Sequence, residues 1–335
     1  MNIGKNNKNF QQLMLLGILV LLSVILSFLS KEFFTVVNIT NILRQQAMVA
    51  ISAAGATFIM ITTGLDISVG STIAFSGVVF AKLVQSGMPL LPACMIAILM
   101  GGVVGAINAA MIVGAKINPV IATLGTMYAI RGVAYLVAGG TTIANGLPEN
   151  FNQLGRGYIG IFPIPVIIML VVYLVFHLVL SRTLLGKYTY AIGGNIETSR
   201  LSGIPVKRVL ACLYVLTGLL TGFSGTIMAS RLSSGNPNIG SGFEFDVIVA
   251  VFLGGVSTKG GEGTIIGTFI GAMIVGVLSN GLNLLGINAF YQYIIKGIVL
   301  VCAVMIDMTL KGEGMDIKGL TKRLGFKKKA VKLDM

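Results

Sequence analysis

The sequence predicts an all-α polytopic membrane protein of about ten transmembrane helices, with an inverted internal repeat and both ends on the cytoplasmic side. Three observations predict it. The chain is 55% hydrophobic and only 10% charged, against about 25% charged residues in an ordinary soluble domain. Its apolar residues gather into ten runs, mostly near the roughly 20 residues that a helix needs to cross hydrocarbon. Its cations are sorted between alternate connections, as expected where Lys and Arg stay on the cytoplasmic side.

The runs lie near 11–29, 43–62, 67–84, 93–113, 119–138, 162–181, 208–230, 245–256, 264–285 and 290–308. An even number of crossings returns the chain to its starting side. With the N-terminus inside, inner segments hold seventeen cations, among them Lys116, Arg182, Lys187, Lys259 and eight in the tail, while outer loops hold Lys31, Arg156 and Arg231. Residues 1–10 are then a cytoplasmic N-terminus, 11–308 a single transmembrane domain and 309–335 a basic cytoplasmic tail. The first run ends in SKEFF rather than a small-x-small cleavage site, so no cleaved signal is expected.

All eight prolines fall in connections or at the ends of runs, so no span is expected to be kinked by proline. Two other interruptions stand out. One is TTGLDISVGS at 62–71. The other is the short eighth run, which begins FEFDVIVAV at 243 and ends in GGVSTKGGEGT at 254–264. Eleven or twelve residues cover about 18 Å of a core roughly 30 Å thick, which predicts a half-span.

KYTYAIGGNIETSRLSGIPVKR, at 187–208, is the one long polar segment between hydrophobic spans. Gly193, Gly194 and Asn195 punctuate it, Ile196 to Ser202 can form a short helix, and Gly203 and Pro205 stop that helix. It reads either as a contact surface for another protein or as an ordinary basic cytoplasmic loop.

The two halves share an order of marks. Leu65-Asp66-Ile67, Gly101-x-x-x-Gly105-Ala106, Ile117-Asn118 and Ile130-Arg131-Gly132 correspond to Phe245-Asp246-Val247, Gly267-x-x-x-Gly271-Ala272, Ile287-Asn288 and Ile295-Lys296-Gly297. Five spans separate the copies, so they run in opposite directions. In transporters an inverted repeat places a solute route near the midplane, beside interrupted helices; chance likeness of Gly-rich apolar segments is the alternative.

An ionisable group inside a span costs about 2.5–3.5 kcal/mol on insertion scales unless it is paired or wet. Arg131 and Lys296 are therefore expected to bond a carbonyl or carboxylate across the bundle. Asp66 and Asp246 stand at helix starts, where a carboxylate caps favourably, or they belong to the solute route. Asn108, Asn118, Thr123, Thr126, Asn280, Asn283 and Gln292 add uncharged polar groups to the spans. They suit a neutral polyol better than an ion, or they join helices. Asp66, Asn108, Asn118, Thr123, Asp246 and Asn283 are the candidate solute-route residues.

Other chemistries have little material. Cys94, Cys212 and Cys302 have no metal or disulfide spacing, and His177 is the sole histidine. The G-x-x-x-x-G-K-[ST] order is absent, so this chain is expected to bind no nucleotide or other cofactor. An ion-coupled secondary transporter would need a mid-membrane acidic or histidine relay, and an intramembrane enzyme a cluster of reactive side chains.

TTGLDISVGS at 62–71, NPVIATLGTM at 118–127, AIGGNIETSRLSGI at 191–204, RLSSGNPNIGSGFEFDVIVAVFLGG at 231–255 and GTIIGTFIGAMIVGVLSNGLNLLGI at 263–287 resemble segments of the ribose-type permeases of bacterial ABC importers. The resemblance extends from about residue 40 to residue 307. It implies a permease dimer in the bacterial plasma membrane. An ATP-binding cassette subunit, using ATP and Mg, would sit on the cytoplasmic side and a solute-binding protein outside. It implies that Gly193, Gly194, Asn195, Glu197, Arg200, Leu201, Gly203 and Ile204 couple the permease to the cassette, with the outer segments 139–161 and 231–244 receiving the binding protein. Thr198-Ser199 stands where related permeases often have Ala-Ala.

Overall fold

Ten apolar helices stand where the ten apolar runs lie, in a computed structural model that describes residues 3–310. The first is α1, Ile3–Leu29, and Thr35 then caps α2, Val36–Ile61, by accepting from the Asn38 N–H. An interrupted segment leads to α3, Val69–Gln85, and a tight connection to α4, Leu90–Ala109, which ends in a π-helical turn over Ala110–Gly114. Asn118 caps α5, Pro119–Ala138, by accepting from the Val120 N–H, with Pro119 at the first helical position, where its missing N–H costs nothing.

A connection holding the short α6, Gln153–Arg156, and a hairpin of β1, Tyr158–Ile159, with β2, Phe162–Pro163, leads to α7, Ile164–Arg182. Two short helices follow, α8, Leu184–Gly194, and α9, Ile196–Leu201. The long α10, Val206–Leu232, the short α11, Phe243–Leu253, α12, Ile265–Leu284, and α13, Ala289–Leu310, complete the described chain. Among the described residues seven helices are long and apolar enough to cross a membrane, and α3 and part of α13 are shorter apolar helices.

Two boundaries differ from the sequence reading. The first helix continues back to Ile3, because KNNKNFQQ contains no proline and a nucleated helix propagates through polar residues. Residues 187–194, read as loop, belong to α8, whose N-cap Thr183 accepts from the Gly186 N–H. The tail from 311 onward lies outside the described residues.

α2 and α10 form the spine. The Ser52 hydroxyl donates to Ser224 Oγ at 3.0 Å, and Ser224 in turn donates to the Met48 carbonyl at 3.0 Å. α4 packs on α10 where Gly101 and Gly105 meet the backbone of Gly218 and Tyr214, and α12 packs on α11 where Gly267 and Gly271 meet Gly254 and Ala250. Small residues at four-residue spacing let two backbones approach closely in this way. Packing also follows a shared scheme. α3 contacts α4, α5 and α10, whereas α11 contacts α12, α13 and α2.

Each end of the bundle gathers its own connections. At one, Arg44 donates to the Arg156 carbonyl at 2.9 Å, Arg156 Nε donates to the Arg231 carbonyl at 2.6 Å, and Ile143 exchanges two backbone bonds with Gly235. Segments 139–161 and 231–244 therefore share one face. At the other end lie α8, α9 and the C-terminus of α2.

Candidate functional site

Asn195 separates α8 from α9. Its extended backbone ends the first helix, and its Oδ1 accepts from the Thr198 N–H at 2.8 Å to start the second. α9 then stops in a glycine cap. Gly203 has a φ of 81°, its N–H donates to the Arg200 carbonyl at 3.0 Å, and the Ile204 N–H donates to the Ser199 carbonyl at 3.1 Å. This is the Schellman arrangement, in which a left-handed residue, usually glycine, satisfies the last carbonyls.

The eight expected coupling residues divide between two faces. Gly194, Asn195, Glu197, Arg200, Leu201 and Gly203 are exposed, and Leu201 is 88% exposed although it is apolar. Glu197 and Arg200 pair at 3.3 Å in the open, a contact worth a few tenths of a kcal/mol. Ile204 is half-buried against the main core. Gly193 is buried, and its backbone lies against the Ile61 carbonyl and the Gly261 amide so closely that a Cβ would overlap both. Gly261 itself donates to the Ile61 carbonyl at 2.8 Å.

The end of α8 is thus wedged between the last residue of α2 and the segment that precedes α12. Tyr190, one turn earlier on α8, donates to the Gly263 carbonyl at 2.7 Å. Burial pushes its phenol up to about 12, so it stays protonated and keeps donating at neutral pH. This junction joins the start of one interrupted segment, residues 62–68, to the second, residues 254–264.

The first interrupted segment is closed. Asp66 is buried and accepts from the Ser68 N–H at 2.9 Å and the Ser68 hydroxyl at 2.6 Å. Asn108, fully buried on α4, donates to both Asp66 oxygens at 3.3 and 3.4 Å and to Ser68 Oγ at 2.9 Å. The carboxylate shapes the turn that leads into α3 by holding Ser68, the N-cap residue, and does not itself cap the helix as expected.

Residues 233–242 return along α3 from the level of Ala81 to that of Gly70, a distance of about 16 Å by the rise per residue. The starts of α3 and α11 therefore lie side by side. Glu244 marks the meeting: it is buried, accepts from the Gly242 N–H at 3.3 Å and presses its other oxygen against Gly70. Arg131 holds the returning segment by donating to the Pro237 and Ile239 carbonyls at 2.7 and 2.6 Å. Lys296 lies 2.7 and 3.0 Å from the two oxygens of Asp246. Both cations thus bond across the bundle as their cost in hydrocarbon requires, and Asp246 pairs with Lys296 rather than capping α11.

The remaining candidates part company. Asn283 accepts from Gln292 Nε2 at 2.7 Å, which brings it to the neighbourhood of Asp246. Asn118 caps α5, and Thr123 donates to the Pro119 carbonyl of its own helix at 2.8 Å, so neither joins the Asp66–Asn108 group or the Asp246–Asn283 group. Asn280 exchanges bonds with Asn38 at 3.0 and 2.8 Å and ties α12 to α2. Sequence reasoning passed over Glu244 and Asn38. Glu244 carried a readable signal, a second carboxylate two residues before Asp246 at the start of an apolar run.

A family described as branched-chain amino acid transport system, permease component, matches residues 38–304. The chain is 42% identical over 300 residues to the ribose import permease of Escherichia coli K12, covering 89% of this chain and 93% of that one. It is 42% identical over 293 residues to the ribose import permease of Bacillus subtilis 168, covering 87% and 91%. It is 35% identical over 305 residues to an L-arabinose transporter permease of Azospirillum brasilense, covering 90% of each. No solved structure matches.

Proposed function

The chain belongs to the permease family just described, and from that premise we propose that it is the membrane subunit of an ATP-driven, binding-protein-dependent importer of ribose or a closely related monosaccharide. Ten helices cross the bacterial plasma membrane with both ends in the cytoplasm, α11 only partway, and the halves form an inverted repeat. The exchanged packing of α3 and α11 supports that repeat. An ATP-binding cassette subunit binds ATP and Mg and docks on α8 and α9, a solute-binding protein docks on 139–161 and 231–244, and a second permease, a copy or a paralogue, completes the pair.

The observation that carries this reading is the junction at Gly193. An exposed surface outside the bundle, with Leu201 uncovered and the Glu197–Arg200 pair free to re-pair, continues directly into a backbone wedge between Ile61 and Gly261. Closure of the cassette on ATP pushes that surface. The push reaches both interrupted segments at once, because one has its start and the other its end at the wedge. The two helix starts then shift against each other and expose the route alternately to either side.

The route suits a neutral solute. A helix start carries partial positive charge and favours anions. Here both starts already face carboxylates of this chain, Asp66 at α3 and Glu244 at α11. Relatives that import ribose and arabinose by name point the same way.

The test is uptake of a panel of labelled monosaccharides by cells carrying this permease with its cassette and binding protein. Uptake of ribose or a near relative that is lost without the cassette, and lost in Glu197→Arg, is the expected result. Uptake that persists without the cassette and collapses with the proton gradient would overturn it in favour of an ion-coupled carrier.

A further inference from the structure

A cleft of about 120 Å³ opens between the start of α11 and the first two turns of α13, lined by Ser241, Gly242, Asp246, Gln292, Tyr293 and Lys296. That volume has room for several waters. Its depth is informative. Lys296 is seven residues into α13, about 11 Å along the axis, and its side chain and that of Asp246 keep 23% and 19% of their surface open. An ion pair left partly open that far into an apolar helix is expected to face protein or a water-filled cavity rather than lipid tails.

The chemistry of the lining selects among occupants. One carboxylate and one ammonium cancel, so the cleft offers no net charge to an ion. Their bonding capacity is nonetheless incomplete: the carboxylate has about four acceptor sites and the ammonium three donors, and the two contacts of Lys296 with Asp246 leave part of that capacity open. Gln292 donates through Nε2 to Asn283 Oδ1 at 2.7 Å and to the Ile287 carbonyl at 3.1 Å. Both amide hydrogens are engaged, which fixes the side chain and leaves Oε1 to accept from a ligand. Tyr293 packs its ring edge against Gly242 and stays 59% exposed.

We propose that this cleft is a monosaccharide subsite of the transport route. Asp246 Oδ2 and Gln292 Oε1 accept from sugar hydroxyls, Lys296 donates to a hydroxyl or the ring oxygen, and the Tyr293 ring covers the C–H face. Asn283 is a positioning residue that orients Gln292. The proposal rests on the importer reading above and deepens it by naming where the sugar is held.

Two measurements test it in membranes containing the assembled permease, cassette and binding protein. The first is ribose uptake, normalised to the amount of assembled complex. Tyr293→Ala and Gln292→Leu are expected to lower it at least tenfold, Tyr293→Phe to keep it within twofold because the ring face is retained, and the exchange of Asp246→Lys with Lys296→Asp to restore the pair without restoring uptake. The second uses Ser241→Cys with an impermeant thiol reagent, where ribose at tens of millimolar is expected to slow labelling at least threefold and inositol not to. Failure of the wild type to import any monosaccharide would overturn the importer reading and this subsite with it. Wild-type uptake together with undiminished uptake in Tyr293→Ala and Gln292→Leu would overturn the subsite alone. So would a Ser241→Cys thiol that ribose does not protect or that a second copy of the chain keeps wholly unlabelled.

Discussion

α3 and α11 each start beside a carboxylate, and the two carboxylates are held differently. At the start of α3, Asp66 is enclosed by Ser68 and Asn108 and holds only this chain's own donors. At the start of α11, Asp246 meets a cation on a neighbouring helix and opens to a cleft. The difference teaches that a carboxylate at a half-helix start has two uses. Where its acceptors are filled locally it sets a turn. Where one long, rotatable cation fills them in part, as at Asp246, an oxygen stays open to the cleft.

The largest expected effect comes from removing the element that both segments share. Gly193→Leu should drive a side chain into the Ile61 carbonyl and the Gly261 amide, and ATP-dependent uptake should fall at least a hundredfold, as measured in membranes with equal amounts of permease. The next separates the two starts. Asp66→Ala leaves the Ser68 N–H and hydroxyl buried without their acceptor and should destabilise the folded chain by about 1–3 kcal/mol per orphaned group, seen as a lower thermal midpoint in detergent. Tyr293→Ala should leave that midpoint nearly unchanged, since the ring is largely exposed. Equal midpoints for the two variants would erase the contrast.

Smaller effects refine it. Tyr190→Phe deletes the bond to the Gly263 carbonyl and should cost about 1 kcal/mol while slowing uptake severalfold, because the bond spans α8 and the second segment. Glu197→Ala should change stability by no more than about 0.5 kcal/mol, since its pair with Arg200 is exposed. Its effect belongs in the assembled complex, as a reduced rate of ATP hydrolysis.

Much of this was legible in residues. Among the described residues helices stand at the ten apolar runs, seven of them long and apolar enough to cross a membrane, because apolar length and flanking polar residues set where such a helix can lie. The cross-bundle bonds of Arg131 and Lys296 followed from the cost of an unpaired charge in a span. The glycine stop at Gly203 followed from the preference of a helix end for a left-handed residue. What could not be read was which polar groups meet. Asn118 and Thr123 have the same composition signal as Asn108 and Asn283, yet the first pair serves its own helix and the second pair reaches across to other elements. Contacts of that kind depend on rotation about each helix axis, which an apolar run with a low periodic signal does not set. The split of the polar segment at 187–208 was hidden for a similar reason. Gly193 and Gly194 are adjacent and identical, and only packing buries one and exposes the other.

The central claim is that the surface formed by α8 and α9 carries the cassette's work to the spans. Its most direct test is binding-protein-stimulated ATP hydrolysis by the reconstituted complex carrying Gly203→Pro, with insertion of the permease and retention of the cassette measured on the same sample. Proline fixes φ near −65° and removes the N–H that now bonds Arg200, whereas this position sits at 81°. The account predicts an inserted permease whose stimulated hydrolysis and ribose uptake are both lost. Stimulated hydrolysis and uptake at wild-type rates in that variant would contradict it.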